Sequence, residues 1–238
     1  TGAPRPFDKH NDTVSANSTS SAALAFDFTT AFNEAGKIST RWLYTFQNGL
    51  TYWNWVQITP TTDILPGIGY TQKGTTIGNT TADQEYIFNG KPNNGTVILN
   101  GIDTGGPGSV KDVSLTNYFV GNPYPSAIDA KAFINENRPD NGGVIYGTLY
   151  VWEQWSGNTH VLENYEGGYG TINLTTTERA FKWNEPTQQN GVKTPTFFIP
   201  VAQGFFTEVI ADGEIKFSNS QRVFVKENDA NGNPNNGS

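Results

Sequence analysis

Apolar residues along the chain come in short groups of about 4–7 residues that are separated by Gly, Asn and Pro. The groups are rich in aromatic and β-branched side chains, which favour β-strands. Two of them, residues 214–217 and 222–225, alternate polar and apolar positions, as half-buried antiparallel strands do. The pattern therefore predicts an all-β fold, an antiparallel two-sheet β-sandwich of jelly-roll type.

One segment has the features of a helix rather than of a strand. Asp129 stands three positions after Ser126, which is the spacing of a capping box at a helix start. We therefore predict one short helix near residues 126–135, with Ser126 as its N-cap. The residues that would share its apolar face are Ile128, Ala132 and Phe133.

Polar, turn-rich segments flank the apolar region at both ends. Residues 1–21 are predicted to form a polar arm or linker, and residues 228–238 a flexible tail. The β-sandwich domain would span residues 22–227. Leu24–Phe28 is a candidate strand directly after the arm. We expect it to complete a sheet edge, either in its own domain or in a neighbouring copy.

The two halves of the predicted domain, about residues 22–115 and 116–227, contain similar phrases. Trp42–Phe46, for example, resembles Thr148–Trp152. The likeness fits two related sets of β-hairpins in one sandwich, and it also fits a chance similarity between aromatic strands.

The composition limits the partners that the protein can have. The chain carries 22 Asp and Glu against 15 Lys and Arg, a net charge of −7, which argues against nucleic acid as a partner. The chain has no cysteine, which excludes disulfides and thiolate catalysis. No apolar run approaches the roughly 20 residues that a membrane-spanning helix needs. Because the chain is acidic, rich in Asn, Thr and Gly, and free of Cys and Met, we expect a secreted bacterial protein that does not span the membrane.

Aromatic residues and carboxylates are concentrated between positions 152 and 169. Exposed rings beside polar groups can form a surface on which sugars stack, so this segment is a candidate glycan-binding site. Aromatic residues of a β-sandwich are more often part of its core, and this alternative stays open. The candidate glycan-binding residues are Trp152, Glu153, Trp155, His160, Tyr165 and Tyr169.

The same segment could in principle hold a catalytic pair, because glycoside hydrolysis requires two carboxylates that flank the bond to be cleaved. Glu153, Glu163 and Glu166 are the carboxylates in question. The sequence contains no recognisable catalytic triad, metalloprotease helix or phosphate-binding glycine loop. We therefore expect no enzymatic activity and no catalytic residues, with a glycoside hydrolase as an alternative.

Oxygen-bearing side chains at the C-terminal end of the chain are candidate calcium ligands. Asp229, Asn231 and Asn233 place oxygen ligands at alternating positions, like the start of a calcium loop. The following glycine and the distal glutamate of such a loop are missing. Asn and Asp in turns also satisfy their own backbone. The sequence thus predicts no cofactor and leaves a structural calcium ion open.

Several distinctive phrases follow one another along the chain, among them Val120–Ala130, Gly147–Glu153, Ile199–Phe206 and Phe217–Phe224. They resemble a module found near the C-terminal end of large cell-surface proteins of Bacteroidetes that the type IX secretion pathway exports. The resemblance extends from about Trp42 to about Lys226 and implies an extracellular, surface-exposed location. It implies no activity and no catalytic residues.

A modification site follows from the same resemblance. Asp12-Thr13-Val14 is similar to the acidic–Thr–apolar pattern of O-glycosylated secreted proteins of this phylum. Thr13 is therefore a candidate glycosylation residue, with an ordinary linker threonine as the alternative.

Three functions are compatible with these observations. The first is a structural or adhesive module, an adhesin of the bacterial surface, whose partners are other copies or other surface proteins in an assembly or filament. The second is a glycan-binding module that accompanies an enzyme. The third is a glycoside hydrolase. We expect the first, because the sequence offers no convincing catalytic group.

Overall fold

The computed structural model describes residues 10–13, 24–25, 27–32, 34, 37–73, 85–88, 91–105, 116–156, 166–182 and 191–224. Within these ranges the chain forms one short α-helix, α1 (Ala130–Asn137). None of the helices in these ranges has the length and apolar character needed to cross a lipid bilayer. The strands are β1 (His10–Thr13), β2 (Leu24–Ala25), β3 (Asp27–Thr29), β4 (Lys37–Ser39), β5 (Tyr44–Thr45), β6 (Val56–Gln57), β7 (Glu85–Phe88), β8 (Val97–Gly101), β9 (Thr116–Gly121), β10 (Ala127–Asp129), β11 (Ile145–Ser156), β12 (Glu166–Ile172), β13 (Thr177–Lys182), β14 (Phe198–Ile199), β15 (Gly204–Val209), β16 (Gly213–Phe217) and β17 (Arg222–Val223).

The largest sheet in the described part of the chain has five antiparallel strands in the order β13, β12, β11, β15, β9. We call it the main sheet. Its strands alternate between a buried and a more accessible side. In β15, for example, Phe205, Thr207 and Val209 are buried while Phe206 and Glu208 between them are half-buried. The main sheet therefore turns one face to the core and the other outward.

The core lies between the inner face of the main sheet and a second layer that contains α1 and the pair β8–β16. The Phe133 ring on α1 lies 5.4 Å from the ring of Phe205 in the main sheet and 4.9 Å from that of Phe217 in β16. All three side chains are fully buried. This two-layer arrangement confirms the predicted all-β sandwich with one short helix.

The β9 edge of the main sheet is closed by residues from the first half of the chain. Phe119 N donates to Phe46 O and Asn117 N to Gly49 O, both at 2.8 Å, and Gly69 N donates to Phe119 O at 3.1 Å. Pairing of this kind protects an edge from other chains. The strands of the main sheet all lie within residues 116–209. The relation between the two halves stays a prediction.

The N-terminal segment pairs within its own chain. Four residues of the predicted arm form β1, which pairs with β7 on one side and β2 on the other. The predicted strand at Leu24–Phe28 appears as β2 and the start of β3, and β3 pairs in parallel with β4. The segment was expected to pair either in its own domain or in a neighbouring copy, and the structure contains the pairing within its own domain.

The start of the helix differs from the prediction. The N-cap of α1 is Asp129, whose Oδ1 accepts hydrogen bonds from Lys131 N at 2.8 Å and Ala132 N at 3.2 Å. The predicted cap, Ser126, instead accepts a hydrogen bond from Arg222 Nε at 3.0 Å. Residues 127–129 between them are extended because they pair with β14 and β17. The prediction of Ser126 as the cap was wrong, because this long-range pairing overrides the local capping signal.

We expect Asp129→Ala to lower the free energy of unfolding by about 1 kcal/mol, because two amides of the first helical turn lose their acceptor. Urea denaturation measures the change. Asp140→Ala is the matched control, since Asp140 is exposed and its ion pair with Arg138 is long, at 3.6 Å. An equal loss in both variants would contradict the assignment of the cap.

Candidate functional site

Aromatic rings cover the outer face of the main sheet. Each strand contributes at least one ring, and five of these rings form a group that crosses the sheet: Phe119 from β9, Phe206 from β15, Trp152 from β11, Tyr169 from β12 and Phe181 from β13. The strand register places Phe119 opposite Phe206, and Tyr169 opposite both Trp152 and Phe181. Together with Trp55, which packs on the β9 end, we call these residues the aromatic row.

Five of the six rings of the row, all but Phe181, form a connected series of ring contacts. Phe119 and Phe206 are stacked, with ring centroids 4.7 Å apart and planes 23° apart. Phe206 and Tyr169 meet edge to face at 5.8 Å, and Tyr169 and Trp152 at 4.9 Å. Trp55 contacts Phe206 at 5.7 Å. The outer face therefore carries a continuous aromatic surface rather than scattered rings.

One end of the row is open to solvent. Trp152 is 40% exposed, Phe181 38% and Tyr169 36%, whereas Phe119 and Phe206 are less exposed. Burial raises the pKa of the Tyr169 hydroxyl to about 12, although part of the side chain is accessible. Adjacent exposed aromatic residues on a folded surface indicate a binding surface, because single exposed apolar side chains are common but contiguous ones are not.

A rigid turn presents two more rings beside the β9 end of the row. Tyr52–Asn54 forms a 3₁₀ turn in which Tyr52 is 59% and Trp53 87% exposed. Asn54 Oδ1 accepts a hydrogen bond from Thr51 N at 2.9 Å, which fixes the turn. Trp55, the next residue, anchors it to the row.

A tyrosine–glutamate pair adjoins the row. Tyr150, which lies opposite Phe206, donates a hydrogen bond from its hydroxyl to Glu208 Oε2 at 3.1 Å. Burial raises the pKa of the Glu208 carboxyl, and the hydrogen bond from Tyr150 opposes this rise. Burial, followed by the Glu208 charge, raises the pKa of Tyr150. The pair supplies hydrogen-bonding groups at an otherwise apolar surface.

One known protein family matches nearly the whole chain. A family model described as a domain of unknown function, DUF8693, matches residues 13–234. The chain belongs to the DUF8693 family. Neither the curated proteins nor the solved structures contain a significant match to it. Membership in DUF8693 therefore gives the extent of the domain, and the function has to be argued from the site.

The structure divides the predicted glycan-binding residues between the two faces of the main sheet. Trp152 and Tyr169 lie together on the outer face. Glu153 points to the opposite side, where its Oε1 accepts hydrogen bonds from Val192 N at 3.1 Å and Lys193 N at 3.0 Å. Its Oε2 is buried and has no hydrogen-bond partner. Glu153 thus holds the segment that begins at residue 191, because successive side chains of a strand point to opposite faces.

Trp155 also lies on the inner side of β11 in the DUF8693 domain. It is half-buried, and a Cβ built on Gly168 would lie 3.3 Å from its ring. Because Gly168 has no side chain, the Trp155 ring has room beside it. Trp155 and Trp152 are close in sequence but do not share a surface.

Two other predicted residues, Thr13 and Glu166, lie in strands. Thr13 is the last residue of β1, and Glu166 forms an ion pair with Lys182 at 3.2 Å. Among the described residues, no group of three or more His, Cys, Asp and Glu side chains could hold a metal ion. His160, Glu163, Tyr165, Asp229, Asn231 and Asn233 lie outside the described residues.

A cleft at Trp152 lies on the inner side of β11, where Glu153 and Ile172 are among the residues that line it. The cleft has a volume of about 350 Å³ and lies between β11 and the segment 193–203. Another cleft, of about 470 Å³, lies at the end of α1 and contains none of the row residues. The polar residues that line the cleft at Trp152 include Gln154, Lys193, Thr194, Thr196 and Gln203.

Sequence reasoning missed four of the six residues of the row in this DUF8693 domain. A usable signal was present in the doublets Tyr118-Phe119 and Phe205-Phe206. Two adjacent aromatic residues in a strand must point to opposite faces, so one of each pair has to leave the core. The missed residues are Trp55, Phe119, Phe181 and Phe206.

Proposed function

We propose that this domain is a non-catalytic adhesive module of a bacterial surface protein and that the aromatic row is its contact surface. The observation that carries the proposal is the cluster of exposed rings at Trp152, Tyr169 and Phe181, on a sheet whose other face packs against the core. Exposed contiguous rings are the groups that dominate the binding energy of interfaces.

The expected location supports this role. The acidic composition without cysteine and the resemblance to surface modules of Bacteroidetes both favour an extracellular domain. A surface module meets its partner in water, where burial of aromatic rings is a main source of affinity.

A hydrolase finds less support among the described residues. Glu153 is bound to the backbone at residues 192–193, and Glu166 is paired with Lys182. Neither carboxylate lies on the outer face, where Glu208 accepts a hydrogen bond from Tyr150. Two carboxylates that face one bond are the minimum for glycoside hydrolysis.

Adhesion can be measured with beads that carry the purified domain and flow over immobilised bacterial cell envelopes. We expect Trp152→Ala combined with Tyr169→Ala to reduce bead retention at least about tenfold, because the two rings lie at the open end of the row. Circular dichroism at the assay temperature checks that the variant is folded, because both rings are more than half buried and their removal lowers the melting temperature.

Phe224→Ala is the matched control, because Phe224 is 95% exposed and follows β17 rather than the main sheet. It should leave retention unchanged. Retention of the unchanged domain at the level of albumin-coated beads, or equal retention of the double variant, would refute the proposal.

A further inference from the structure

We infer that the ligand of the aromatic row is a linear, uncharged polysaccharide that lies across the strands of the main sheet. Successive sugar rings would then rest on side chains from neighbouring strands. This inference rests on the proposed role of the row as the contact surface, and it names the chemical class of the ligand.

The spacing of the row carries the first step. Neighbouring strands of a sheet lie about 4.8 Å apart. Three neighbouring strands, β11, β12 and β13, each present a partly exposed ring of the row, at Trp152, Tyr169 and Phe181. The length of one pyranose unit in an extended β-linked chain is close to this spacing. A chain that crosses the strands therefore meets a new ring with about every sugar.

The chemistry of the surface is the second step. The faces of Trp152, Tyr169 and Phe181 are partly open, and the C–H face of a pyranose is apolar while its hydroxyls point sideways. Hydroxyls at the rim can reach polar groups beside the row. One such group is the Tyr150–Glu208 pair.

The sheet edges argue against an extended peptide as the ligand. Peptides that bind sheets add a strand to a free edge through main-chain hydrogen bonds. The β9 edge is already paired with residues 46–49 and 67–69, and at β13 Gly191 N donates to Ala180 O at 2.9 Å. The open surface is thus the face of the sheet and not these parts of its edges.

The charge of the domain selects the class of polysaccharide. A net charge of −7 repels an anionic polymer at long range. Glu208, which adjoins the row, adds a local acidic group. An uncharged polysaccharide is not subject to this electrostatic repulsion.

The length of the row predicts the length of glycan that binds. The open end of the row, from Trp152 to Phe181, spans three strands, roughly 10 Å at the usual strand spacing. The affinity should therefore increase with chain length up to about three sugars and then level off. A chain that lay along a single strand would meet one ring of the row and would lack this dependence.

Isothermal titration with cellohexaose, mannohexaose and xylohexaose tests the inference on the intact domain. We expect at least one hexasaccharide to bind, and the tetrasaccharide of that series to bind at least about tenfold more tightly than the disaccharide. A hexamer of galacturonate, which is charged, should bind at least about tenfold more weakly. Trp152→Ala and Phe181→Ala should each weaken binding about tenfold, whereas Phe224→Ala should not.

The outcomes separate this inference from the proposed function. If no hexasaccharide binds while bead adhesion still depends on Trp152, the partner is not such a glycan and the inference is wrong, although the adhesive role stands. Equal affinity for the di- and hexasaccharide, or binding that is insensitive to Trp152→Ala and Phe181→Ala, also overturns it. If hexasaccharides bind through the row but beads do not adhere, the adhesive role fails and the ligand class stands.

Discussion

Replacement of Phe133 by alanine should lower the free energy of unfolding by about 3–5 kcal/mol. The Phe133 side chain is fully buried, and its ring contacts Phe205 in the main sheet and Phe217 in β16. The variant loses the transfer free energy of the ring and leaves a cavity between the two layers. Because α1 and both sheets meet at this ring, little can move in to fill the space.

Urea denaturation measures this change, and the slope of the transition should stay the same if only the native state is affected. Phe224→Ala serves as the control, because removal of a 95% exposed ring should change the free energy of unfolding by less than about 0.5 kcal/mol. A loss below about 1 kcal/mol for Phe133→Ala would mean that α1 does not pack against the main sheet and β16 as described.

Asn137→Ala should lower the free energy of unfolding by about 2–3 kcal/mol. Asn137 is fully buried at the end of α1. Its Nδ2 donates to Phe133 O at 2.9 Å and Lys216 O at 2.8 Å, and its Oδ1 accepts from Lys216 N at 2.6 Å. The alanine variant leaves Lys216 N without an acceptor, while Lys216 O keeps the hydrogen bond from Gln221 Nε2.

Hydrogen exchange adds a residue-specific measurement to the denaturation curve. The Lys216 amide should exchange faster in Asn137→Ala, because it loses its acceptor. Asn100→Ala is the control, since Asn100 is exposed on β8, and it should change stability by less than about 0.5 kcal/mol. Unchanged protection of Lys216 together with unchanged stability would exclude Asn137 as the link between α1 and β16.

The fold class could be predicted because its signals are local. Two-residue alternation and frequent turn residues indicate strands without reference to the rest of the chain. The helix was predicted in the right place but with the wrong start. Ser126 and Asp129 have the spacing of a capping box, yet residues 127–129 pair with β14 and β17, which lie about seventy or more positions later.

The site was predicted in part for a similar reason. Trp152 and Tyr169 were found because β11 and β12 are consecutive strands, so a segment rich in aromatic residues brought both together. Phe119 and Phe206 come from strands that are far apart in sequence but adjacent in the sheet. Their contribution to the same surface depends on the strand order, which no local pattern encodes.

By itself, the sequence determined the strand periodicity, the single helix, the negative charge and the supply of aromatic residues. The tertiary structure decided which face each side chain occupies. Glu153 follows Trp152 directly in the sequence, but the two side chains lie on opposite faces of β11. The inner face, with Glu153, is turned toward segment 191–193, and the outer face, with Trp152, is turned toward solvent. A side chain's face follows from the strand register, and the register is set by long-range pairing and burial of the core, so it emerges only when the sheet is assembled.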